Sequence, residues 1–163
     1  MSKNILVISA SLRNGSNSDM LADEFMRGAL ESGNKAEKIT LRSKSINFCK
    51  VCLACQKTGK CVINDDMAEV LPKMQQADVI CFASSVYFYD MGGQLKTFLD
   101  RTNPLFSAEY NFTDIYFLIT AADTEQSASE GPLKGLQGWI DCFENAGLKG
   151  VVCGLGAEKP GPP

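Results

Sequence analysis

The sequence predicts a doubly wound α/β domain, with a parallel sheet of five strands and helices on both faces. Short apolar runs alternate with segments of helical periodicity along the chain. The 163 residues suit a single domain, 1–163, with its own hydrophobic core. Hydrophobic residues at 45% and a mean hydropathy of -0.06 are typical of a globular protein.

The first strand, loop and helix follow from local residue patterns. Lys3–Ala10 (KNILVISA) is predicted to be a buried strand, because its apolar, branched run ends at a cluster of Ser, Asn and Gly. Ser18–Glu31 is predicted to be a helix, since Leu21 and Phe25 recur at the spacing of one helical face. Gly33 then acts as a stop signal.

The same unit recurs along the chain without a repeat of sequence. Further strands are predicted at Lys35–Leu41, Asp78–Ala83, Asp114–Thr120 and Gly150–Gly154. Further helices are predicted at Asp66–Gln76, Gly93–Arg101 and Leu133–Asn145, and Pro72 is expected to bend the first of them. Ligands of such sheets bind outside the carboxyl ends of the strands. The loops after the first, third and fourth predicted strands therefore form the candidate site.

Two segments depart from this alternation. Arg42–Asp65 joins a strand to a helix through about two dozen residues, and connections of that length are commonly functional or disordered. The end of the sequence, GLGAEKPGPP, follows the fifth strand directly and provides no closing helix. We expect a neighbouring subunit of a dimer or tetramer to cover the exposed face. The alternative is that the sequence is shortened.

Charge and composition exclude several functions. A net charge of -3 and a pI near 5.0 predict no surface for nucleic acid. The early run ILVISA is too short for a signal peptide or a membrane span, so we expect a cytoplasmic protein with no membrane partner. The chain has no histidine, which excludes Ser-His-Asp and Cys-His nucleophiles and His-ligated zinc catalysis. An enzyme of this composition is expected to rely on a cofactor.

The loop after the first strand is rich in hydrogen-bond donors. Its hydroxyl, amide and guanidinium groups come from Ser9, Ser11, Arg13, Ser16, Asn17 and Ser18. A helix follows directly, and the free N–H groups of a helix N-terminus bind anions. The loop therefore predicts a site for a terminal phosphate, although it lacks the glycine motifs of dinucleotide and nucleoside-triphosphate sites. The alternative is that Ser16 or Asn17 only caps the helix.

The loop after the third strand contains the aromatic run Tyr87, Phe88 and Tyr89. A flat aromatic cofactor could stack on one of these rings while backbone groups bind its polar edge. The alternative is that the rings seal the loop against the sheet.

Taken together, these segments resemble a known family. The run S-x-R-x-x-S-N-S, followed by V-Y-F and L-K-x-F-L-D-R, is similar to NAD(P)H-dependent FMN reductases of the flavodoxin-like fold. The resemblance implies strand order 2-1-3-4-5, FMN as cofactor, NAD(P)H as donor, and the flavin N5 rather than a side chain as the reactive atom. It places at the cofactor Ser9, Ser11, Arg13, Ser16, Asn17, Ser18, Ser85, Val86, Tyr87, Phe88, Ala122 and Asp123. Relatives often have proline at the position of Ser85, so the flavin-facing backbone is expected to be less rigid here.

Four of the seven cysteines lie close together in the long connection, in a loop at about 43–65. Cys49, Cys52, Cys55 and Cys61 have the spacing C-x2-C-x2-C-x5-C. This spacing resembles the compact motif of iron-sulfur flavoproteins, which implies a [4Fe-4S] cluster held by the four thiolates.

Other interpretations of the cysteines stay open. Structural zinc usually takes two C-x2-C pairs separated by a longer segment, and disulfides are disfavoured in a reducing compartment. A metal-free loop that covers the flavin or a subunit contact is the third alternative. The other three cysteines, Cys81, Cys142 and Cys153, lie in predicted core elements and are expected to be small buried hydrophobes.

These observations predict an FMN-dependent oxidoreductase. Its electrons would come from NAD(P)H or a redox protein and pass to a small molecule or a protein, with the cluster as an intermediate carrier. The alternatives are an electron carrier without catalysis, similar to flavodoxin, and a zinc-stabilised module that binds a phosphate ligand.

Overall fold

The computed structural model describes residues 1–159. The strands are β1 (Asn4–Ser9), β2 (Lys35–Thr40), β3 (Val79–Tyr87), β4 (Asp90–Met91), β5 (Asp114–Thr120) and β6 (Gly147–Gly154). The helices are α1 (Asn17–Glu31), α2 (Ala54–Thr58), α3 (Met67–Gln76), α4 (Gly93–Asp100) and α5 (Glu130–Ile140). The five long strands are parallel in the order β2-β1-β3-β5-β6, and the short β4 pairs antiparallel with the end of β3. Counted over the long strands, this is the predicted order 2-1-3-4-5, so the flavodoxin-like fold class is confirmed.

Helices cover both faces of the sheet, as the alternation of elements predicts. Helix α1 covers one face, where Ala22 packs with Val7 and Leu118. Helices α3, α4 and α5 cover the other face and enclose the larger core. At its centre Phe82 packs edge-on against Trp139, with ring centroids 5.4 Å apart. Helix α3 continues through the proline in its interior.

Three predicted elements had wrong boundaries. Strand β3 does not end at Ala83 but continues to Tyr87, because Ser84 and Ser85 pair with β5 and the last two residues pair with β4. Helix α5 begins at Glu130, three residues before the predicted start, and it ends at Ile140. Strand β6 begins at Gly147 rather than Gly150, and a register shift against β5 separates its two parts. Ser84 and Ser85 resembled loop residues in the sequence, although they lie in β3.

The segment after β6 lies over the carboxyl edge of the sheet. In the described part, to residue 159, no helix follows β6. The amide of Gly156 donates to the carbonyl of Asp123 (2.9 Å), and that of Ala157 donates to the carbonyl of Ala121 (2.8 Å). Val152 of β6 is 49% exposed. Residues 160–163, the end of the predicted helix-free tail, lie outside the described residues.

Among the described residues, none of the helices has the length and apolarity needed to cross a bilayer.

Candidate functional site

A cavity of about 660 Å³ opens at the carboxyl ends of β1, β3 and β5. The loops after these strands form its walls, as the sequence predicts for a sheet of this order. Its volume is in the range of sites for small molecules and cofactors, roughly 300–1,000 Å³. The cavity therefore brings together segments that are about a hundred residues apart in the sequence.

The first wall is the N-terminus of α1. Ser16 is the N-cap, and its hydroxyl accepts a hydrogen bond from the amide of Asp19 at 3.2 Å. Gly15, with φ +60°, turns the chain into the helix. Ser16 both caps the helix and lines the cavity, so the two interpretations of this loop are compatible. Arg13 lies at the rim with its side chain exposed.

Asn17, the first residue of α1, also lines the cavity and contacts the segment after β6. Its side-chain amide donates to the carbonyl of Ala157 at 3.1 Å and to that of Lys159 at 2.8 Å. Ala157 lines the cavity too. The segment after β6 thus closes the side of the cavity next to α1, an arrangement that the sequence pattern did not predict.

Hydroxyl groups connect three walls of the cavity. The Ser16 and Ser18 hydroxyls are 3.3 Å apart, and those of Ser18 and Ser85 are also 3.3 Å apart. Thr120, at the end of β5, donates to the Ser85 hydroxyl at 3.2 Å. A proline at position 85 could not form these contacts, so the serine links β3 to both α1 and β5.

The buried carboxylate of Asp19 lies beneath these hydroxyl groups. Ser9 is fully buried and donates to Asp19 at 2.6 Å, and Lys38 donates to the same carboxylate at 3.2 Å. Burial acts to raise the pKa of Asp19, but the hydrogen bonds from Ser9 and Lys38 outweigh it and hold the pKa below its ordinary value. Ser9, predicted at the cofactor, therefore lies one layer beneath the cavity.

This arrangement predicts a pH-dependent loss of stability in Asp19→Asn. At neutral pH we expect the free energy of unfolding to fall by about 1.5–3 kcal/mol, the range for hydrogen bonds to charged groups. Because the folded pKa is depressed, this stabilisation is present above the unfolded pKa of about 3.9 and is lost as the pH falls through the folded value. Urea denaturation at pH 7 and below pH 4 checks this: the gap between variant and wild type should narrow as the pH falls. A gap that is equal at both pH values would contradict the role of the ionised carboxylate.

The aromatic residues after β3 form a two-residue turn between β3 and β4. Tyr87 lines the cavity. The rings are far from sealed against the sheet, since Tyr87 is 60% exposed, Phe88 101% and Tyr89 62%. This observation contradicts the interpretation that the rings only close the loop.

Most of the predicted cofactor residues lie at the cavity. Those that line it are Ser11, Arg13, Ser16, Asn17, Ser85, Val86, Tyr87 and Ala122. The cavity lining does not include Ser9, Ser18, Phe88 or Asp123. Ser9 donates a hydrogen bond to Asp19, and the Ser18 hydroxyl is hydrogen-bonded to that of Ser85. Phe88 points to solvent.

The sequence reasoning missed other lining residues. They are Ala10, Leu12, Ser84, Gly92, Gln94, Thr120 and Ala157, whereas Ala121 belongs to the loop after β5 that was predicted to close the site. Gly92 and Gln94 follow the aromatic run directly, and Thr120 ends a predicted strand, so their positions gave a signal. Ala157 gave none, because its place depends on the path of the chain after β6.

The second candidate site is the long connection between β2 and α3. Cys49, Cys52, Cys55 and Cys61 line one small cavity of about 20 Å³. Burial, together with the nearby thiols, raises the pKa of Cys55. All seven cysteines are free in this structure. Of the four predicted ligands, Cys49 and Cys52 precede α2, Cys55 lies within it and Cys61 follows it.

The geometry does not match a single metal ion. Within residues 1–159, no three His, Cys, Asp or Glu side chains form a group that could hold one ion. A tetrahedral zinc site needs four sulfur atoms at about 2.3 Å from one centre. In a [4Fe-4S] cluster each thiolate binds a different iron, so its ligands need not converge on one point.

A buried ion pair anchors both ends of the cysteine loop. Arg101, 1% exposed, donates to both oxygens of Asp65, at 2.6 and 2.9 Å. Arg101 also donates to the carbonyl of Asn47 at 2.7 Å, and Asp65 accepts from the amide of Asn47 at 2.9 Å. The pair therefore ties the residues on either side of the cysteines to the end of α4, a role that neither residue revealed in the sequence.

Hydrogen-bond donors face two of the four sulfur atoms. Cys49 accepts hydrogen bonds from the amide of Val51 (3.4 Å) and the side chain of Asn103 (3.6 Å), and Cys61 accepts one from Arg101 (3.5 Å). Val51 and Leu53 have left-handed backbone conformations, φ +52° and +56°, which are rare for branched or bulky residues and concentrate at functional sites. Such donors fit thiolate ligands, because hydrogen bonds to the sulfur atoms stabilise their negative charge.

Comparison with known proteins assigns the chain to a family. The family described as NADPH-dependent FMN reductase matches residues 3–131, from β1 to the start of α5. The chain belongs to the NADPH-dependent FMN reductase family. The matched residues include the four predicted cysteine ligands and the loops after β1, β3 and β5.

Relatives of this FMN reductase-family chain include iron-sulfur flavoproteins, which confirms the predicted branch. An iron-sulfur flavoprotein of Methanocaldococcus jannaschii is 41% identical over 101 residues, which are 62% of this chain and 52% of the relative. A Bacillus subtilis protein described as a candidate NAD(P)H-dependent FMN-containing oxidoreductase is 28% identical over 170 residues, covering 96% of this chain and 87% of its own. The chain spans about half the length of the iron-sulfur flavoproteins that it matches.

A solved structure supports the fold. The NAD(P)H:quinone oxidoreductase of Methanothermobacter marburgensis superposes with a TM-score of 0.75 at 19% identity, over 99% of this chain and 87% of that one. At this identity the similarity shows a shared flavodoxin-like fold alone.

Proposed function

We propose that this protein is an FMN-dependent oxidoreductase that takes electrons from NAD(P)H or another donor and passes them to a small-molecule or protein acceptor. The observation that supports the proposal most is the cavity of about 660 Å³, in which the N-terminus of α1 and the ring of Tyr87 line one space. FMN has an anionic phosphate at one end and a flat ring system at the other, which matches these two walls.

The residues fit FMN at both ends. The phosphate would lie at the start of α1, held by Ser11, Arg13 and Ser16 and by the positive end of the helix dipole. The ring would lie between the end of β3, with Val86 and Tyr87, and the loop after β5, with Ala122. When bound, FMN supplies hydride acceptance and electron release at its N5, and the protein supplies binding and orientation.

We also propose that the cysteine loop holds a [4Fe-4S] cluster. The four free thiols line one cavity, Arg101 provides a positive charge beside them, and the Nε atom of Arg101 has no partner among the described residues. A volume of about 20 Å³ is too small for the cluster, so the side chains of this surface loop would have to rotate outward when it binds. The iron-sulfur flavoproteins among the relatives support the assignment by name.

One experiment tests both cofactors. The protein is purified without air, its visible spectrum is recorded, and iron and acid-labile sulfide are measured on the same sample. We expect flavin bands, a shoulder near roughly 400 nm and about four irons per chain, as four-thiolate ligation implies. Flavin without iron would contradict the cluster and leave the flavoprotein. A colourless sample that FMN cannot restore would contradict the whole proposal.

The compartment and assembly are further parts of the proposal. Seven free thiols suit the reducing cytoplasm. The half-exposed Val152 on the edge strand β6 suits a dimer or tetramer in which a neighbouring subunit covers that face. A monomeric mass by light scattering at micromolar concentration would contradict the assembly.

The proposed contact between Arg13 and the FMN phosphate can be tested with riboflavin as the control ligand. Arg13→Ala should weaken FMN binding about tenfold, or roughly 1.4 kcal/mol, because a charge-assisted contact to the phosphate is lost. Riboflavin, which lacks the phosphate, should bind both proteins equally. Arg27→Ala removes the same charge from an exposed position further along α1 and should leave FMN affinity unchanged. Titrations followed by flavin fluorescence measure both ligands, and equal losses for FMN and riboflavin would show that Arg13 does not contact the phosphate.

A further inference from the structure

The turn between β3 and β4 has a backbone conformation that its residues disfavour. Tyr87 pairs with Asp90, so that only Phe88 and Tyr89 connect the strands. Both central residues lie in the left-handed region, with φ +48° and +60°. Two-residue turns of this kind favour Asn-Gly or Gly-Gly, because side chains with a Cβ are strained there. Two adjacent aromatic residues are therefore costly at these positions.

Packing of the aromatic rings does not offset this strain. Phe88 is fully exposed and Tyr89 is 62% exposed, so neither ring buries enough surface to select the conformation. A strained conformation persists only where surrounding contacts determine it. Other parts of the chain must therefore hold the turn.

Two contacts hold it, one from each side. A Cβ atom on Gly131, in the first turn of α5, would lie 1.9 Å from the carbonyl oxygen of Tyr89, so the helix supports the turn at a distance that only glycine allows. On the other side, the Tyr89 hydroxyl donates to Asp123 at 3.1 Å. The remaining Asp123 oxygen accepts from the amide of Glu125 at 2.9 Å, which fixes the carboxylate within its own loop.

The Tyr89–Asp123 contact joins two walls of the cavity. Tyr87, two residues before Tyr89, lines the cavity from β3, and Ala122, next to Asp123, lines it from the loop after β5. The ladder between these strands ends at Ser85 and Thr120. Beyond that pair, the hydrogen bond from Tyr89 to Asp123 connects the two loops.

We propose that Tyr89 is a positioning residue of this cavity: its hydrogen bond to Asp123 fixes the aromatic turn, and with it the Tyr87 ring, against the edge of bound FMN. The inference rests on the proposed function, because it takes FMN as the ligand. The strain at Phe88 and Tyr89 is then the cost of placing a tyrosine hydroxyl where it reaches the loop after β5. Loss of the hydroxyl should leave the fold intact and let the cofactor leave faster.

Three variants separate the hydroxyl from the strain. Tyr89→Phe removes the hydrogen bond and keeps the ring and the strained backbone. Tyr89→Gly removes the hydrogen bond, the ring and the backbone strain at position 89. Tyr116→Phe is the matched control, because its hydroxyl makes no hydrogen bond to the described residues and the residue lies in the middle of β5, before the carboxyl end. The release rate of FMN is measured on dilution of each holoprotein, as the rise in flavin fluorescence, and the unfolding temperature is measured on the same samples without flavin.

We expect Tyr89→Phe to release FMN about three- to tenfold faster with an unchanged unfolding temperature, and Tyr116→Phe to match wild type. Tyr89→Gly should release FMN at least as fast as Tyr89→Phe, yet unfold at a temperature higher by about 2–8 °C, since the strain is relieved. In an Asp123→Ala background, Tyr89→Phe should have no further effect. A merely structural role would lower retention and stability together.

Release at the wild-type rate in Tyr89→Phe would overturn the inference while leaving the proposed function in place. A wild-type protein that binds no FMN would overturn the proposed function and this inference with it.

Discussion

Replacement of Asp65 with asparagine will lower the free energy of unfolding by about 3–5 kcal/mol at neutral pH, which is the cost of leaving a buried charge without its partner. Arg101 is 1% exposed and directs two N–H groups at the two carboxylate oxygens. An amide has only one oxygen, so one guanidinium donor would face an N–H₂ group instead. The guanidinium stays charged at any accessible pH, so it cannot escape the cost by losing its proton.

The effect should concentrate in the cysteine loop. Asp65 also accepts hydrogen bonds from the amide and the side chain of Asn47 and from the amide of Met67. These bonds tie the residue before the cysteines to the residue after them. In hydrogen exchange, the amides of 47–61 should therefore lose protection in Asp65→Asn, whereas the strands of the sheet keep theirs until global unfolding.

The matched control is Glu24→Gln on α1. Its ion pair with Arg27 is exposed on both sides, and pairs of that kind contribute about 0–1 kcal/mol. Urea denaturation of the two variants, with the slope checked for constancy, compares a buried carboxylate with an exposed one. Equal losses in the two variants would show that burial of the Asp65–Arg101 pair does not stabilise the fold.

The sign of the pH dependence follows from the same contacts. Burial acts to raise the pKa of Asp65, but the hydrogen bonds from Arg101 and Asn47 outweigh it and hold the pKa well below its usual range. The carboxylate therefore stabilises the fold fully above its unfolded pKa of about 3.9, and this contribution is lost as the pH falls towards the folded value. The gap between wild type and Asp65→Asn should be widest at neutral pH and should shrink below about pH 4.

The second large effect is expected at Cys55. Under the proposed cluster assignment, Cys55→Ala should reduce iron and acid-labile sulfide from about four per chain to near zero, because a [4Fe-4S] cluster requires four thiolates. Cys55 is buried and lies at the start of α2, with Cys49 and Cys52 before it in the chain and Cys61 after it. FMN should be retained, since none of the four cysteines lines the larger cavity.

Cys142→Ala is the matched control, because it removes one thiol from the exposed turn after α5. It should leave iron, sulfide and FMN unchanged. The measurement is metal and sulfide analysis with a visible spectrum on protein purified without air. Iron that survives in Cys55→Ala, or that is lost equally in both variants, would contradict the assignment of the ligands.

Cys142 also shows where sequence reasoning was wrong. It was predicted to be a buried hydrophobe in the helix Leu133–Asn145, but α5 ends at Ile140 and Cys142 is exposed in the turn that follows. Cys81 is fully buried as predicted, because it lies in the central strand β3. The difference is one of element boundaries, which periodicity defines poorly where a helix ends in tight turns.

Local pattern is enough to predict the fold class and most of the candidate site. Apolar runs that alternate with amphipathic helices allow one economical arrangement, a parallel sheet covered on both faces, and the carboxyl edge of that sheet must hold the loops after β1, β3 and β5. For this reason the amino-acid pattern places Ser11, Arg13, Ser16 and Tyr87 at one site, and all four line the same cavity. The cysteine spacing likewise predicts that four thiols share one loop.

Tertiary packing decides which groups meet across long separations. Asp65 and Arg101 are 36 residues apart, and Tyr89 and Asp123 are 34 apart. The periodicity of a helix or strand does not relate such pairs. Their contact depends on the path of loops and on strand ends that extend past the last apolar residue. Local sequence sets the backbone conformations that each segment prefers, whereas the pairing of buried charges and the strain at Phe88 and Tyr89 result from contacts that exist only once the whole chain has packed.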